Sequence, residues 1–281
     1  MTGSHTAAVA DHRGARTSVA TARNAWALGP GRADLRRTPV PEDAVELEAL
    51  PTPVTVDLGR TALVVVDMQN DFCHHDGWLA GIGVDIAGAR APIPVLRRLV
   101  PLLRERGVPI VWVSWGNRPD QANLPPGVRH VYDPDGTGRG IGSRANAAAS
   151  PVLEAGSWAA AIVDELTVEE GDIVVDKFRM SGFVDTPLDS VLRNLRVDTL
   201  LFGGVNADQC VAATLVDAAN LGYDVLMVED AVGTTSPHFC MEATVYNVRQ
   251  CFGFTTTSQA VETGLSVGAA GAPGQQAGDT G

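Results

Sequence analysis

Five apolar stretches, most of them followed by a segment of helical spacing, constrain this chain more than any other feature. They are "TALVVVDMQ" (61–69), "VPIVWVSW" (108–115), "GDIVVDK" (171–177), "DTLLFGGV" (198–205) and "DVLMVEDAV" (224–232), with a short sixth, "FTTTS" (254–258). Helical patterns fall between or after them at 91–107, 157–166, 187–195, 207–223 and 236–253, and a Gly/Pro-rich loop spans 116–143. Strands that are apolar throughout belong in a sheet covered on both faces. Right-handed crossovers then give a three-layer α/β/α fold, a doubly wound, mainly parallel, six-stranded sheet. In such sheets ligands bind at the carboxyl ends of the strands.

Outside this alternation the sequence changes character. Residues 1–23 are expected to be a disordered tail and 24–55 an arm lying on the core or on a neighbouring subunit. The folded domain is expected over 56–262. The Gly/Ala-rich 263–281 reads as a disordered tail. The net charge of −12 argues against nucleic acid or an anionic membrane surface as partner. No apolar run reaches the length of a membrane span. Four cysteines without a CxxC pair suit free thiols in the cytoplasm.

Three chemically loaded residues fall at strand carboxyl ends: Asp67, Lys177 and Cys210. Lys177 is the only lysine in a chain that otherwise uses arginine. A compact ammonium can sit between a carboxylate and a thiol where a planar guanidinium does not fit. A helix N-terminus and a nearby ammonium would both lower the thiol pKa. Asp67 would take the thiol proton and pass it to a leaving nitrogen. The "GGVNADQC" turn offers backbone N–H groups to an oxyanion.

"RTALVVVDMQNDFC" (60–73), the lysine after a strand, and "GGVNADQCVAATLVDAANLGY" (203–223) together resemble the isochorismatase-like cysteine hydrolase superfamily, over roughly residues 57–262. The resemblance implies an Asp67–Lys177–Cys210 triad and a non-proline cis peptide at Val205–Asn206. It also implies an oxyanion hole from the N–H groups of Asn206 and Cys210. A nucleophilic cysteine implies C–N bond hydrolysis through a thioester rather than vinyl-ether cleavage. No histidine follows the second strand in "VSWGNRPDQANLPP" (113–126), so neither a metal nor another cofactor is expected, and His74 and His75 read as a solvated pair.

The "GNRPDQANLP" loop resembles that of biuret and ureido amidohydrolases, and the general pattern also resembles streptothricin hydrolase, which opens a lactam. The expected substrate is therefore a small amide, ureide or lactam. Candidate contacts are Phe72, Trp115, Asn117, Arg118, Phe178 and Gln250. Ala207 stands where the family usually has threonine. The resemblance also implies a homo-oligomer, a dimer or a tetramer. The alternative outside this class is a non-catalytic binding or scaffold protein.

Overall fold

A computed structural model describes residues 23–37 and 39–270. The strands are β1 (Ala27–Gly29), β2 (Arg32–Asp34), β3 (Ala44–Leu47), β4 (Ala49–Leu50), β5 (Val54–Asp57), β6 (Thr61–Val66), β7 (Ile110–Trp115), β8 (Ile173–Lys177), β9 (Thr199–Gly204), β10 (Asp224–Val232) and β11 (Phe254–Thr256). The helices are α1 (Asn70–Cys73), α2 (Trp78–Gly81), α3 (Ala87–Arg90), α4 (Ile93–Glu105), α5 (Pro126–Tyr132), α6 (Leu188–Asn194), α7 (Ala212–Asn220), α8 (His238–Asn247) and α9 (Ser258–Ala270).

The central sheet runs β4-β11-β10-β9-β6-β7-β8. Six of its strands are parallel, as the apolar runs dictate, and β4 joins β11 antiparallel as a seventh. That corrects the six-stranded expectation. Two residues closed off by Pro51 leave no periodicity to read, and a proline ends an edge strand because it has no N–H to offer. Residues 44–50 thus lie on the core of their own chain.

Period-two side chains sort the core into two halves. Leu63 and Val65 of β6 pack with Leu96, Leu99, Val261 and Leu265 of α4 and α9 on one face. Ala62, Val64 and Val66 pack with Leu188, Leu192, Leu215 and Ala218 of α6 and α7 on the other. Both layers are needed, because β6 is buried at every position.

Several expected boundaries move. The segment 157–166 is not a helix: Asn70 N–H, Asp71 N–H and the Gln69 and Asn70 side-chain amides take the carbonyls of Trp158 to Ala161, which a helix would use internally. The loop 116–143 contains α5. The 207–223 helix opens with a π turn over Ala207–Val211, and the last helix of the 236–253 segment ends in another over Val248–Phe252. Helix α9 carries the fold past 262 to Ala270, where Val261 and Leu265 give it a buried stripe. Arg23, expected in the tail, is buried and donates to Gly59 O at 2.7 Å and Gly107 O at 3.0 Å. The remainder of the two expected tails, 1–22 and 271–281, lies outside the described residues.

Candidate active site

Parallel β6, β8 and β9 bring their carboxyl ends to one rim, and with them Asp67, Lys177 and the turn leading to Cys210. Lys177 is the last residue of β8 and 0% exposed. Its Nζ lies 2.8 Å from Asp67 Oδ2 and 3.3 Å from Cys210 Sγ, and donates to Arg179 O at 3.2 Å. The ammonium thus bridges carboxylate and thiol. Asp67 has φ 51°, a left-handed conformation that aspartate tolerates better than most residues. Gly204 lets β9 approach β6 closely: a Cβ there would meet Val66 O at 2.0 Å, and its φ is +108°. The Val205–Asn206 peptide that follows is cis.

The electrostatics differ from the expectation in one respect. Burial first, and the Asp67 carboxylate second, push the Cys210 thiol up to about 12, against the pull of Lys177. The resting sulfur therefore keeps its proton, whereas a helix terminus and an ammonium alone would have lowered its pKa. Burial opposes the charge of Lys177, yet Asp67 and Cys210 outweigh it and raise the lysine's pKa. Among the described residues no N–H or O–H donor beyond the ammonium serves the Asp67 carboxylate, so it has acceptor capacity for the thiol proton.

The "QND" that follows Met68 fastens the loops over this rim. Gln69 accepts from Trp115 N–H at 2.7 Å and donates to Trp115 O at 2.8 Å and to Ala160 O at 2.6 Å. Asn70 donates to Trp158 O at 2.8 Å. Asp71 accepts from the N–H groups of Trp78 and Leu153 and from the Asn146 amide. Its buried carboxyl pKa is raised by desolvation despite these bonds.

A cavity of about 220 Å³ opens onto Cys210 and Asp67. Phe72, a candidate contact, and Asn206, a candidate oxyanion donor, line it. The other expected contacts do not. Trp115 lies behind Lys177, whose Nζ is 4.6 Å from its ring centre. Asn117 is buried and exchanges backbone hydrogen bonds with Leu153 and Ala155. Arg118 is exposed and paired with Asp120 at 2.7 Å. Phe178 lies under Arg179, with the guanidinium carbon 4.9 Å from its ring centre. Gln250 is exposed on the π turn after α8, outside the cavity lining.

Trp78, Leu79, Tyr132 and Met180 also line it, with Met180 Sδ 3.7 Å from Cys210 Sγ. Tyr132 stacks against Trp78 and Trp115 at 5.5 and 5.1 Å between ring centres. Sequence reading missed it because α5 sits inside a Gly/Pro-rich stretch. Met180 lies only three residues beyond the lysine, close enough in sequence to have been a candidate.

A larger groove of about 720 Å³ runs between β3 and α9, but no cysteine, lysine or histidine is among the described residues that line it. His75 is exposed, while the ring of His74 packs edge-on against Trp158 at 5.2 Å. Among the described residues no cluster of three or more His, Cys, Asp or Glu could hold a metal ion.

Comparison with known proteins places the fold in a family. The isochorismatase domain family matches residues 61–260. A ureidoacrylate amidohydrolase, RutB, from Rhizobium rhizogenes is 37% identical over 214 residues, covering 76% of this chain and 87% of its own. An isochorismatase family protein from Desulfovibrio vulgaris superposes with a TM-score of 0.60 at 30% identity, covering 74% and 98% of the two chains. N-carbamoylsarcosine amidase from Thermoplasma acidophilum gives 0.54 at 27% identity, covering 71% and 96%.

Proposed function

The chain belongs to the isochorismatase domain family, and from that premise we propose that it is a cysteine hydrolase with an Asp67–Lys177–Cys210 triad. It is a hydrolase acting on carbon–nitrogen bonds other than peptide bonds, as its amidohydrolase relatives indicate. The observation that carries the triad is the buried ammonium standing 2.8 Å from the carboxylate and 3.3 Å from the sulfur, beside an open cavity.

The substrate is a small amide, ureide or lactam whose carbonyl carbon meets Cys210 Sγ. As the C–S bond forms, the thiol proton passes to Asp67. The oxyanion is held by the N–H groups of Asn206 and Cys210. The C–N bond then breaks and Asp67 returns the proton to the leaving nitrogen. A water molecule, deprotonated by Asp67, attacks the thioester, and the sulfur leaves as a thiol. Lys177 stays charged throughout and keeps the carboxylate and the sulfur in register. The balance closes on protein and water alone.

The thiol's high pKa fits this order of events. A permanent thiolate would sit beside a carboxylate in a buried site, whereas a proton shared with Asp67 lets charge on sulfur arise only as it is spent on the carbonyl. The name of the ureidoacrylate amidohydrolase relatives places the ureido group first among the reacting groups to try, whatever the charge of the far end.

The test is release of ammonia or amine from a panel of ureas, carboxamides and lactams. Wild-type protein is expected to turn over at least one class, and Cys210→Ala none. Equal turnover by Cys210→Ala would overturn the reading.

A further inference from the structure

Resting on that reading, the charges around the cavity narrow the substrate. Among the described residues that line it, Asp67 is the only charged side chain, and Lys177 neutralises it. The three protons of Lys177 face Asp67, Cys210 and Arg179 O, so no donor is left for a ligand. The arginines nearest in the chain are also committed. Arg118 holds both oxygens of Asp120. Arg179 pairs with Asp185 at 3.2 Å and donates to the carbonyls of Asn123 and Phe178, both at 2.9 Å. Arg129, on α5, lines a separate groove with Asp133 and Gly140.

The wall is apolar along Phe72, Trp78, Leu79, Val131 and Met180. Each of its amides spends one N–H on a neighbour. Asn206 donates to Gln209 at 3.3 Å and accepts from Thr235 N–H at 3.2 Å, while Gln209 donates to Ser236 Oγ at 3.2 Å. The hydroxyls of Tyr132 and Thr235, and the second N–H of each amide, remain as uncharged groups for a ligand. Burial, and after it Cys210 and Asp67, raise the Tyr132 pKa well above its usual value, so the phenol is a neutral donor.

An anionic group brought into such a wall loses its water and gains no cation in exchange. We infer that the pocket selects small amides and ureides whose far end is uncharged, read by the Tyr132 and Thr235 hydroxyls, and rejects those that end in a carboxylate. Both hydroxyls donate and accept, which suits a neutral carbonyl, amide or alcohol.

Two matched pairs test this on the full-length protein: propylurea against 3-ureidopropanoate, and butyramide against succinamate. Each pair keeps the reacting group and chain length similar and changes the charge of the end. The neutral member is expected to have at least about tenfold higher kcat/KM, and Val131→Arg to narrow the gap by lowering KM for the carboxylate. A carboxylate member that matches or exceeds its neutral partner in the wild type overturns the inference and leaves the hydrolase reading standing. If neither pair is turned over while Cys210 is intact, the amide and ureide reading fails, and the inference with it.

Discussion

In the proposed mechanism Lys177 carries more of the chemistry than its frequency in the chain suggests, and its head group is enclosed on every side. Arginine in its place would bring a larger planar group to a site with no spare volume. Lys177→Arg is expected to lower kcat by about a thousandfold or more while far-ultraviolet circular dichroism stays native. Lys177→Met should leave the Asp67 charge buried and alone, costing about 3–5 kcal/mol in urea unfolding. Near-normal activity of the arginine variant would contradict the compact-ammonium role. The lysine and its two partners were legible in the sequence, because parallel strands end on the same rim and only their last residues need be read. The thiol's protonation was not. It depends on how deeply the chain encloses Cys210, which spacing along a strand does not reveal.

Elements beyond the strands were less legible, and the reason is physical. Segment 157–166 has helical spacing, but its carbonyls are claimed by Gln69, Asn70 and Asp71, residues nearly ninety positions away. A local pattern cannot report a long-range competitor for backbone hydrogen bonds. Gln69→Ala would leave Trp115 N–H without its partner and Ala160 O without a donor inside the protein. It is expected to cost about 1–3 kcal/mol and to raise KM more than it lowers kcat, measured by unfolding and steady-state kinetics. An unchanged KM would show that the clasp does not shape the cavity. The expected substrate contacts Trp115, Asn117, Arg118, Phe178 and Gln250 missed the cavity for a related reason: they were placed by proximity to motifs, and loop side chains are aimed by tertiary contacts.

The molecule as a whole gains stability from keeping buried thiols protonated. Burial pushes both Cys73 and Cys210 from 9.0 up to about 12. A group whose pKa is raised on folding stabilises fully below its unfolded value and loses that contribution as pH rises through the folded one. The raised pKa of Lys177 acts in the same direction. The urea midpoint is therefore expected to hold to about pH 9 and fall between there and about pH 12, with a shallower fall in Cys73→Ala. The layered architecture itself followed from the apolar runs, which need helices on both faces, while the antiparallel β4 and the length of α9 emerged only once the core was assembled. The most direct measurement is mass spectrometry of the Cys210 peptide after acid quench of wild-type protein with a turned-over amide or ureide. An adduct of the acyl group's mass on Cys210 is the result expected, absent in Asp67→Asn. Turnover with no adduct at any quench time, retained in Cys210→Ala, would contradict the nucleophile assigned to this site.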